Sequence, residues 1–355
     1  MSTANNGFWG HIKALLALND HRRPWPGLTL AALVVGSPML IGAWLGQLAP
    51  AIIASMGGLV ALYLPQTTFT HRMVTLGLSS FGFVLCFTIG MLSSFNPYFS
   101  AATLALTVFL VTLNCRWFSL PPPGSFFFIL VACLSRVLPF DLSLIAERTG
   151  LLVFGCMGAC AMGLLYSLFQ LRNTPAAPMQ PSPVADKRVE GLILEALTIA
   201  LFVAGSYLLA LLIALENPYW VPISCAAIMQ GATYRDVWHR NIHRITGTAI
   251  GMVLAWGLFS LHPSPWLLAL WVMALVFIIE VLVTRNYGLA VIFITPLTVI
   301  FAEAATASGQ IDHLLWARLL DITLGSCIGY LGGSLIHHPR LFKAMEDRLR
   351  RWRQH

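Results

Sequence analysis

Apolar runs of the length needed to cross a membrane follow one another along almost the whole chain. Of its 355 residues, 57% are hydrophobic and 10% are charged, and the mean hydropathy is +0.77. The hydrocarbon core of a bilayer is about 30 Å thick and needs roughly 20 helical residues to cross it. Inside it, every backbone polar group must be hydrogen-bonded within the protein, which favours helices. The chain is therefore predicted to be an all-α polytopic membrane protein.

Twelve membrane segments are predicted, six on each side of a Pro-rich linker. The linker, from Asn173 to Lys187, has the composition of a flexible connection. Because each half has an even number of segments, both halves share one orientation. The predicted fold is two parallel six-helix repeats related by a pseudo-twofold axis along the membrane normal. The segments are roughly 27–46, 50–64, 73–92, 98–113, 124–139, 144–169, 191–214, 219–231, 245–260, 266–284, 288–303 and 314–336.

The distribution of basic residues predicts the topology. With the N-terminus inside, only Arg136, Arg148 and Arg318 fall on the outer side, as the positive-inside rule requires. Both termini are thus expected in the cytoplasm, and the net charge of +7 lies at the membrane surface rather than facing nucleic acid. The predicted divisions are an N-terminal cytoplasmic segment (1–26), a first repeat (27–170), the linker (171–190), a second repeat (191–336) and a basic cytoplasmic tail (337–355). Residues 1–20 suit either a short interfacial helix or a disordered tail.

Two predicted helices carry the same pattern of one arginine and three small residues. Successive residues of the pattern are seven, four and four positions apart, so all four lie on nearly one face of the helix. The three small residues form a glycine stripe on that face, which allows close helix packing. If segments 6 and 12 meet along these stripes, their arginines lie near the axis, where they would bind a carboxylate. Alternatively, each arginine reaches the outer interface or pairs locally. The two copies, 170 residues apart (318 − 148 = 170), are Arg148, Gly155, Ala159 and Gly163 in the first half and Arg318, Gly325, Gly329 and Gly333 in the second.

Several segments are short or broken, in both halves. Segment 8 contains Pro222, segment 11 contains Pro296, and segment 5 follows Pro121-Pro122-Pro123-Gly124. Irregular backbone at membrane depth survives where it is buried in protein or lines a water-filled cavity. The breaks therefore indicate a central solvated pathway between the repeats, with ordinary proline kinks as the alternative.

Two acids within predicted segments are candidates for proton coupling. Asp321 lies about two turns deep in segment 12, and Glu280 lies near the inner end of segment 10. A buried carboxyl can gain and lose a proton near neutral pH. The alternatives are a structural ion pair of Asp321 with Arg318, and a bond from Glu280 to a cytoplasmic-side arginine.

The connection before segment 9 is predicted to form a basic cytoplasmic vestibule that gathers anions or contacts acidic lipid heads. Gly247 and Gly251, just after it, form another small-residue pair for helix packing. Two histidines four residues apart lack a third ligand, so no metal site is expected. Phosphate-binding and nucleophile motifs are absent from the sequence, so neither enzymatic activity nor a cofactor is expected. The vestibule residues are Arg235, His239, Arg240, His243 and Arg244.

Three stretches in order resemble the fusaric acid resistance (FUSC-like) family: 217–230 (beginning Asn-Pro-Tyr-Trp), 240–251 (Arg-Asn-Ile-His-Arg-Ile-Thr-Gly) and 286–297 (Asn-Tyr-Gly-Leu-Ala-Val-Ile). The first half resembles it through the internal repeat, as at 70–77. The resemblance implies a bacterial inner-membrane exporter of aromatic carboxylic acids, driven by protons and working with a periplasmic membrane-fusion-type adaptor. Long members carry a soluble cytoplasmic domain after each membrane half, where this sequence has a short linker and a basic tail.

Two aromatic residues beside the broken segment 8, Tyr219 and Trp220, are either part of the interfacial belt or platforms for an aromatic substrate. With Arg148 and Arg318 they form the predicted substrate site. The alternatives to export are a passive organic-anion channel, in which the arginines form a selectivity ring, and a non-transporting scaffold subunit of an envelope complex.

Overall fold

The computed structural model describes residues 17–20, 24–173, 189–303 and 311–354. The N-terminal prediction for 1–16 and most of the linker lie outside these ranges. The described residues form thirteen α-helices and one 3-10 turn, and no strand. The helices are α1 (Trp25–Leu45), α2 (Leu48–Gly58, continued by the 3-10 turn Leu59–Tyr63), α3 (Phe69–Ser93), α4 (Pro97–Trp117), α5 (Phe126–Leu134), α6 (Leu142–Asn173), α7 (Val189–Leu212), α8 (Trp220–Met229), α9 (Tyr234–Phe259), α10 (Pro265–Leu282), α11 (Tyr287–Glu303), α12 (Ile311–Ile336) and α13 (Pro339–Gln354).

Eight of these helices are long and apolar enough to cross a membrane: α1, α3, α4, α6, α7, α9, α10 and α12. The prediction of an all-α polytopic membrane protein is confirmed. Each of the twelve predicted segments corresponds to one helix, but α2, α5, α8 and α11 are shorter than the other eight. The number of crossings and the pseudo-twofold axis stay predictions.

The two halves are joined through helix pairs. Helix α1 packs on α10, and α4 packs on α7. Within the halves, α2 packs on α6 and α8 on α12, while α5 packs on α3 and α11 on α9. Each of these pairings has a counterpart six helices further along the chain, which is the order that a six-helix repeat predicts.

The glycine stripes of α6 and α12 pack against the short helices α2 and α8, and not against each other. A Cβ at Gly155 would lie 1.8 Å from the carbonyl oxygen of Ala54 in α2, and one at Gly325 would lie 2.2 Å from that of Val221 in α8. Helices α6 and α12 share no extended interface within the described residues. The expected meeting of segments 6 and 12 is therefore replaced by two contacts, each within its own half. The small residues are needed because the backbone of a short helix approaches closely there.

The other two small residues of the α12 stripe also have neighbours within the second half. A Cβ at Gly329 would lie 2.7 Å from the carbonyl oxygen of Cys225 in α8, and one at Gly333 would lie 2.8 Å from Cγ1 of Val237 in α9. The stripe thus runs along α8 and ends against α9. The prediction that it faces α6 is wrong, because the backbone of α8 already fills the groove that the missing side chains leave.

The α6 stripe is covered in the same way within the first half. Ala159 is 0% exposed, and a Cβ at Gly163 would lie 2.7 Å from Cδ1 of Leu76 in α3. Gly155, Ala159 and Gly163 therefore pack inside their own half, against α2 and α3, instead of against α12. Helices pack closely at these positions, as the spacing predicts. The partners, however, are α2 and α3 instead of α12.

The start of α9 differs from the sequence interpretation, which treated residues 234–244 as a connection. The structure has helix from Tyr234 onward. The side chain of Thr233 accepts a hydrogen bond from the backbone N–H of Asp236 and donates one to its carboxylate at 2.8 Å. This capping arrangement begins the helix eleven residues before the predicted start of segment 9.

The second small-residue pair of α9 lies against α11. A Cβ at Gly247 would lie 2.8 Å from the carbonyl oxygen of Gly288, and one at Gly251 would lie 2.6 Å from that of Ile292. Both contacts are with backbone, so the two helices approach each other closely along this line. This is the kind of packing that the spacing of the pair predicts.

We expect Gly155→Ala to destabilise the protein, because its methyl group would collide with the backbone of α2. Overpacking of this kind costs about 1–3 kcal/mol. The matched control is Gly158→Ala on the same helix, where nothing lies within 4 Å of an added Cβ; better helix propensity should make this change neutral or stabilising. Thermal unfolding of both variants in detergent is the measurement. Equal melting temperatures for the two would contradict the packing described here.

Candidate functional site

Arg318 is a buried cation inside a long apolar helix. It lies on α12 and is 2% exposed. Its Nη2 donates a hydrogen bond to the hydroxyl of Thr298 on α11. Its guanidinium carbon lies 3.9 Å from the ring centroid of Trp220, the first residue of α8, which is a cation–π contact. Arg318 thus joins α12 to α8 and α11 in the second half.

Asp321 lies one helical turn after Arg318. It is 1% exposed, and its Oδ2 has no hydrogen-bond partner among the described residues. A carboxylate oxygen deprived of water and of a hydrogen bond is costly to bury. The predicted role of Asp321 in proton coupling is compatible with this burial and stays a prediction.

The aromatic residues predicted to contact substrate are both buried. The hydroxyl of Tyr219 donates to Oδ1 of Asn217 at 3.0 Å, and its ring lies 5.3 Å from that of Trp220. One face of Trp220 is already covered by Arg318. A substrate ring could stack on this face only if Arg318 moved aside. In the structure, Trp220 contacts Arg318 and not a substrate.

Arg148 occupies a different environment from Arg318. It is only partly buried, and its Nη1 donates to the carbonyl oxygen of Pro139 at 2.7 Å. Hydrogen bonds from Ser143 hold the pKa of the nearby Asp141 carboxyl below its usual value, and the positive charge of Arg148 adds to this effect. Arg148 therefore contacts the connection that precedes α6. Because α6 and α12 do not pack on each other within the described residues, their interface cannot place Arg148 beside Arg318.

Two arginines of the predicted vestibule hold the far end of α8. Nη1 of Arg240 donates to the carbonyl oxygen of Ala227 at 3.2 Å, one of the last four carbonyls of that helix, which lack helical partners. The guanidinium of Arg240 also lies 4.9 Å from the ring centroid of Tyr287. Nη2 of the buried Arg244 donates to the hydroxyl of Ser224 at 3.4 Å. These two cations point into the protein, not into an open vestibule.

The remaining vestibule residues are more accessible. Arg235 is exposed, and His239 and His243 are partly buried with ring centroids 6.4 Å apart. The role of this group in gathering anions stays a prediction.

The sequence analysis missed Arg136 as a structural residue. It follows the short helix α5, and its guanidinium folds back onto the carbonyl oxygen of Ala132. Its Nε donates to the hydroxyl of Ser100 at 2.9 Å, and its Nη2 reaches the hydroxyls of Ser93 and Thr103, each at 3.3 Å. The available signal was an arginine two residues after a short apolar segment, where the last helix carbonyls need donors.

Glu280 lies near another buried arginine, Arg72. It is 7% exposed at the end of α10 and lines a cavity of about 230 Å³ together with Arg72, which is 9% exposed. The cavity is lined mainly by the first half, and Glu280 reaches it from the second. The candidate site therefore has two parts, one around Arg318 and Asp321 and one around Arg72 and Glu280.

We expect Thr298→Val to lower the stability of the protein. Valine has the shape of threonine but removes the oxygen that accepts from Arg318, and loss of an acceptor for a buried charged donor costs roughly 1–3 kcal/mol. Thr323→Val is the control, because the hydroxyl of Thr323 donates to a carbonyl of its own helix. Thermal unfolding in detergent compares the two. An unfolding temperature as high for Thr298→Val as for the control would exclude this bond as a stabilising contact.

Comparison with known proteins finds a family match in the second half of the chain. Residues 202–332 match the family described as fusaric acid resistance protein-like. The chain is also similar to an uncharacterized membrane protein, YvaC, of Bacillus subtilis (strain 168), with 37% identity over 138 residues. That match covers 39% of this chain and 22% of the relative's length. No solved structure matches the chain. The resemblance seen in the sequence is confirmed: residues 202–332 of this multi-pass membrane protein match the fusaric acid resistance protein-like family.

Proposed function

We propose that the protein exports aromatic carboxylic acids, or similar amphipathic organic anions, across the bacterial inner membrane by secondary transport coupled to proton entry. Both termini lie in the cytoplasm in this proposal. The observation that carries it is the burial of Arg318 and Asp321 one turn apart in a long apolar helix, inside the part of the chain that matches the family. Charged residues inside membrane segments are costly and usually belong to a transport pathway.

Arg318 supplies the binding chemistry. Its planar guanidinium matches a carboxylate with two parallel hydrogen bonds. Two of its partners, Thr298 and Trp220, are uncharged, so a carboxylate that reaches Arg318 is a stronger partner than either. When the guanidinium turns to the anion, it uncovers the face of Trp220, on which the aromatic ring of the substrate can stack.

Asp321 supplies the coupling. In each cycle the Asp321 carboxyl takes up a proton from the outer side and releases it to the cytoplasm. The inward movement of this proton drives the outward movement of the anion. Glu280 serves as a second acid at the predicted cytoplasmic side, and Arg148 attracts the anion toward the outer connection. A periplasmic membrane-fusion-type adaptor would carry the released anion onward.

We expect Asp321→Asn to abolish uphill transport while leaving downhill flux, because the amide cannot carry a proton. Purified protein in liposomes, with labelled benzoate and an imposed pH gradient, gives the measurement. Asp141→Asn is the control, since that carboxylate is exposed at the start of α6. Uphill accumulation that persists in both Asp321→Asn and Glu280→Gln would overturn coupling through these acids. A wild type that passes benzoate only downhill would be a channel, and one that passes none would be a scaffold.

We expect Arg318→Gln to raise the KM for benzoate more than Arg148→Gln does. Loss of a charge-assisted pair costs about 1.5–3 kcal/mol, or roughly 10- to 100-fold in affinity. Arg148 already bonds to a carbonyl at the edge of the bundle, so its loss should change KM only a few-fold. Arg318→Lys keeps the charge without the planar fork and should fall between. Initial rates of export at equal protein level test this order, and equal KM values for Arg318→Gln and wild type would exclude Arg318 from binding.

A further inference from the structure

The cavity of about 230 Å³ that Arg72 and Glu280 line lies where six parts of the chain meet. They are the start of α1, the 3-10 turn with residues 64–66, the start of α3, the loop 120–122, the end of α6 and the end of α10. The predicted topology places all six at the cytoplasmic side. The cavity is therefore positioned to receive a solute from the cytoplasm, away from Arg318 at the other side of the predicted bundle.

Arg72 is the only cation that lines this cavity in the described residues. Its Nη1 donates to Oε1 of Gln170 on α6. Its Nε is fully buried and has no hydrogen-bond partner among the described residues. Buried polar atoms normally have a hydrogen-bond partner, so the protein satisfies this guanidinium only in part, and its positive charge lies at the cavity wall. The amides of Gln66 and Gln170 add further donors at the cavity wall.

The rest of the wall suits a small aromatic ring. Leu30, Leu62 and Pro121 provide apolar surface, and Tyr166 provides an aromatic side chain. A cavity of about 150 Å³ in another protein holds benzene, so this one has room for a substituted ring and its carboxylate. Glu280 faces the cavity from α10, and its negative charge, when present, opposes the binding of an anion.

We propose that this cavity is the cytoplasmic-side binding site for a monocarboxylate that carries one aromatic ring, with Arg72 and Gln170 holding the carboxylate. The assignment rests on the proposed export function only for its biological purpose; the binding itself is independent of transport. The ring lies against the apolar wall, and Glu280 sets the strength of binding from the opposite half of the protein.

Calorimetric titration of the purified full chain with benzoate tests the site. Wild type should bind benzoate, and should bind neither benzyl alcohol, which lacks the charge, nor acetate, which lacks the ring. Arg72→Gln should weaken benzoate binding roughly 10- to 100-fold through loss of a charge-assisted pair. Arg116→Gln is the control: it removes an equal charge from an ion pair with the partly buried Glu195 at 2.6 Å, outside the cavity, and should leave binding unchanged. Glu280→Gln should tighten binding.

A second variant, which fills the cavity, distinguishes loss of the binding site from misfolding of Arg72→Gln. Gly27 lines the cavity, and nothing lies within 4 Å of a Cβ added there. Gly27→Leu should therefore fold normally and still lose benzoate. Benzoate affinity unchanged in both Arg72→Gln and Gly27→Leu would overturn the site, even where export by the wild type is found. Binding that depends on Arg72 in a protein that exports nothing would keep the site and overturn the export proposal instead.

Discussion

The second half of the structure depends on how the short helix α8 is held at both ends. A helix of ten residues packed among long apolar helices leaves terminal carbonyl groups that need donors, because no water reaches the hydrocarbon core. Arg240 donates to one of the last carbonyls of α8, and Arg318 covers the indole of Trp220 at its start. In the first half, Arg136 folds back onto the end of α5 in the same way. These arginines therefore allow broken helices to persist inside the bundle, and the broken helices in turn create the polar positions that the proposed transport would use.

The sequence predicted the helices and the buried charges better than their partners. Apolar length and the linker placed twelve helical segments, and the apolar surroundings of Asp321 placed this acid about two turns inside one of them. The partner of each glycine stripe could not be read from its spacing, because periodicity shows which face is smooth but not which helix covers it. The start of α9 was hidden because its basic residues lower the local hydropathy, although the Thr233 cap was visible in the sequence. Arg72 and Glu280 are far apart in the chain, and only the packing of α10 on α1 brings them to one cavity.

The two matching arginines lie in different surroundings because the residues around them do not repeat. Gly155 faces Ala54 and Gly325 faces Val221, so the two short helices are related by 167 residues (221 − 54 = 167). Ile53 therefore lies where the second half has Trp220 (220 − 167 = 53), and isoleucine offers no aromatic face to a guanidinium. Arg148 therefore bonds to a backbone carbonyl at the start of α6. The stripe of small residues is thus present in both halves, whereas of the two matching arginines Arg318 alone is fully buried.

This asymmetry gives the two halves different roles in the proposed cycle. The cation of the proposed entry site, Arg72, comes from the first half, whereas Arg318 and the two acids, Asp321 and Glu280, come from the second. An anion bound at Arg72 lies opposite Glu280, so its affinity depends on the contact between α1 and α10 that joins the halves. Any movement of one half against the other changes the distance between that acid and that cation, and with it the strength of binding. The cavity thus lies where relative motion of the repeats would load or release a substrate, whereas Arg318 and Asp321, on one helix, keep their spacing throughout.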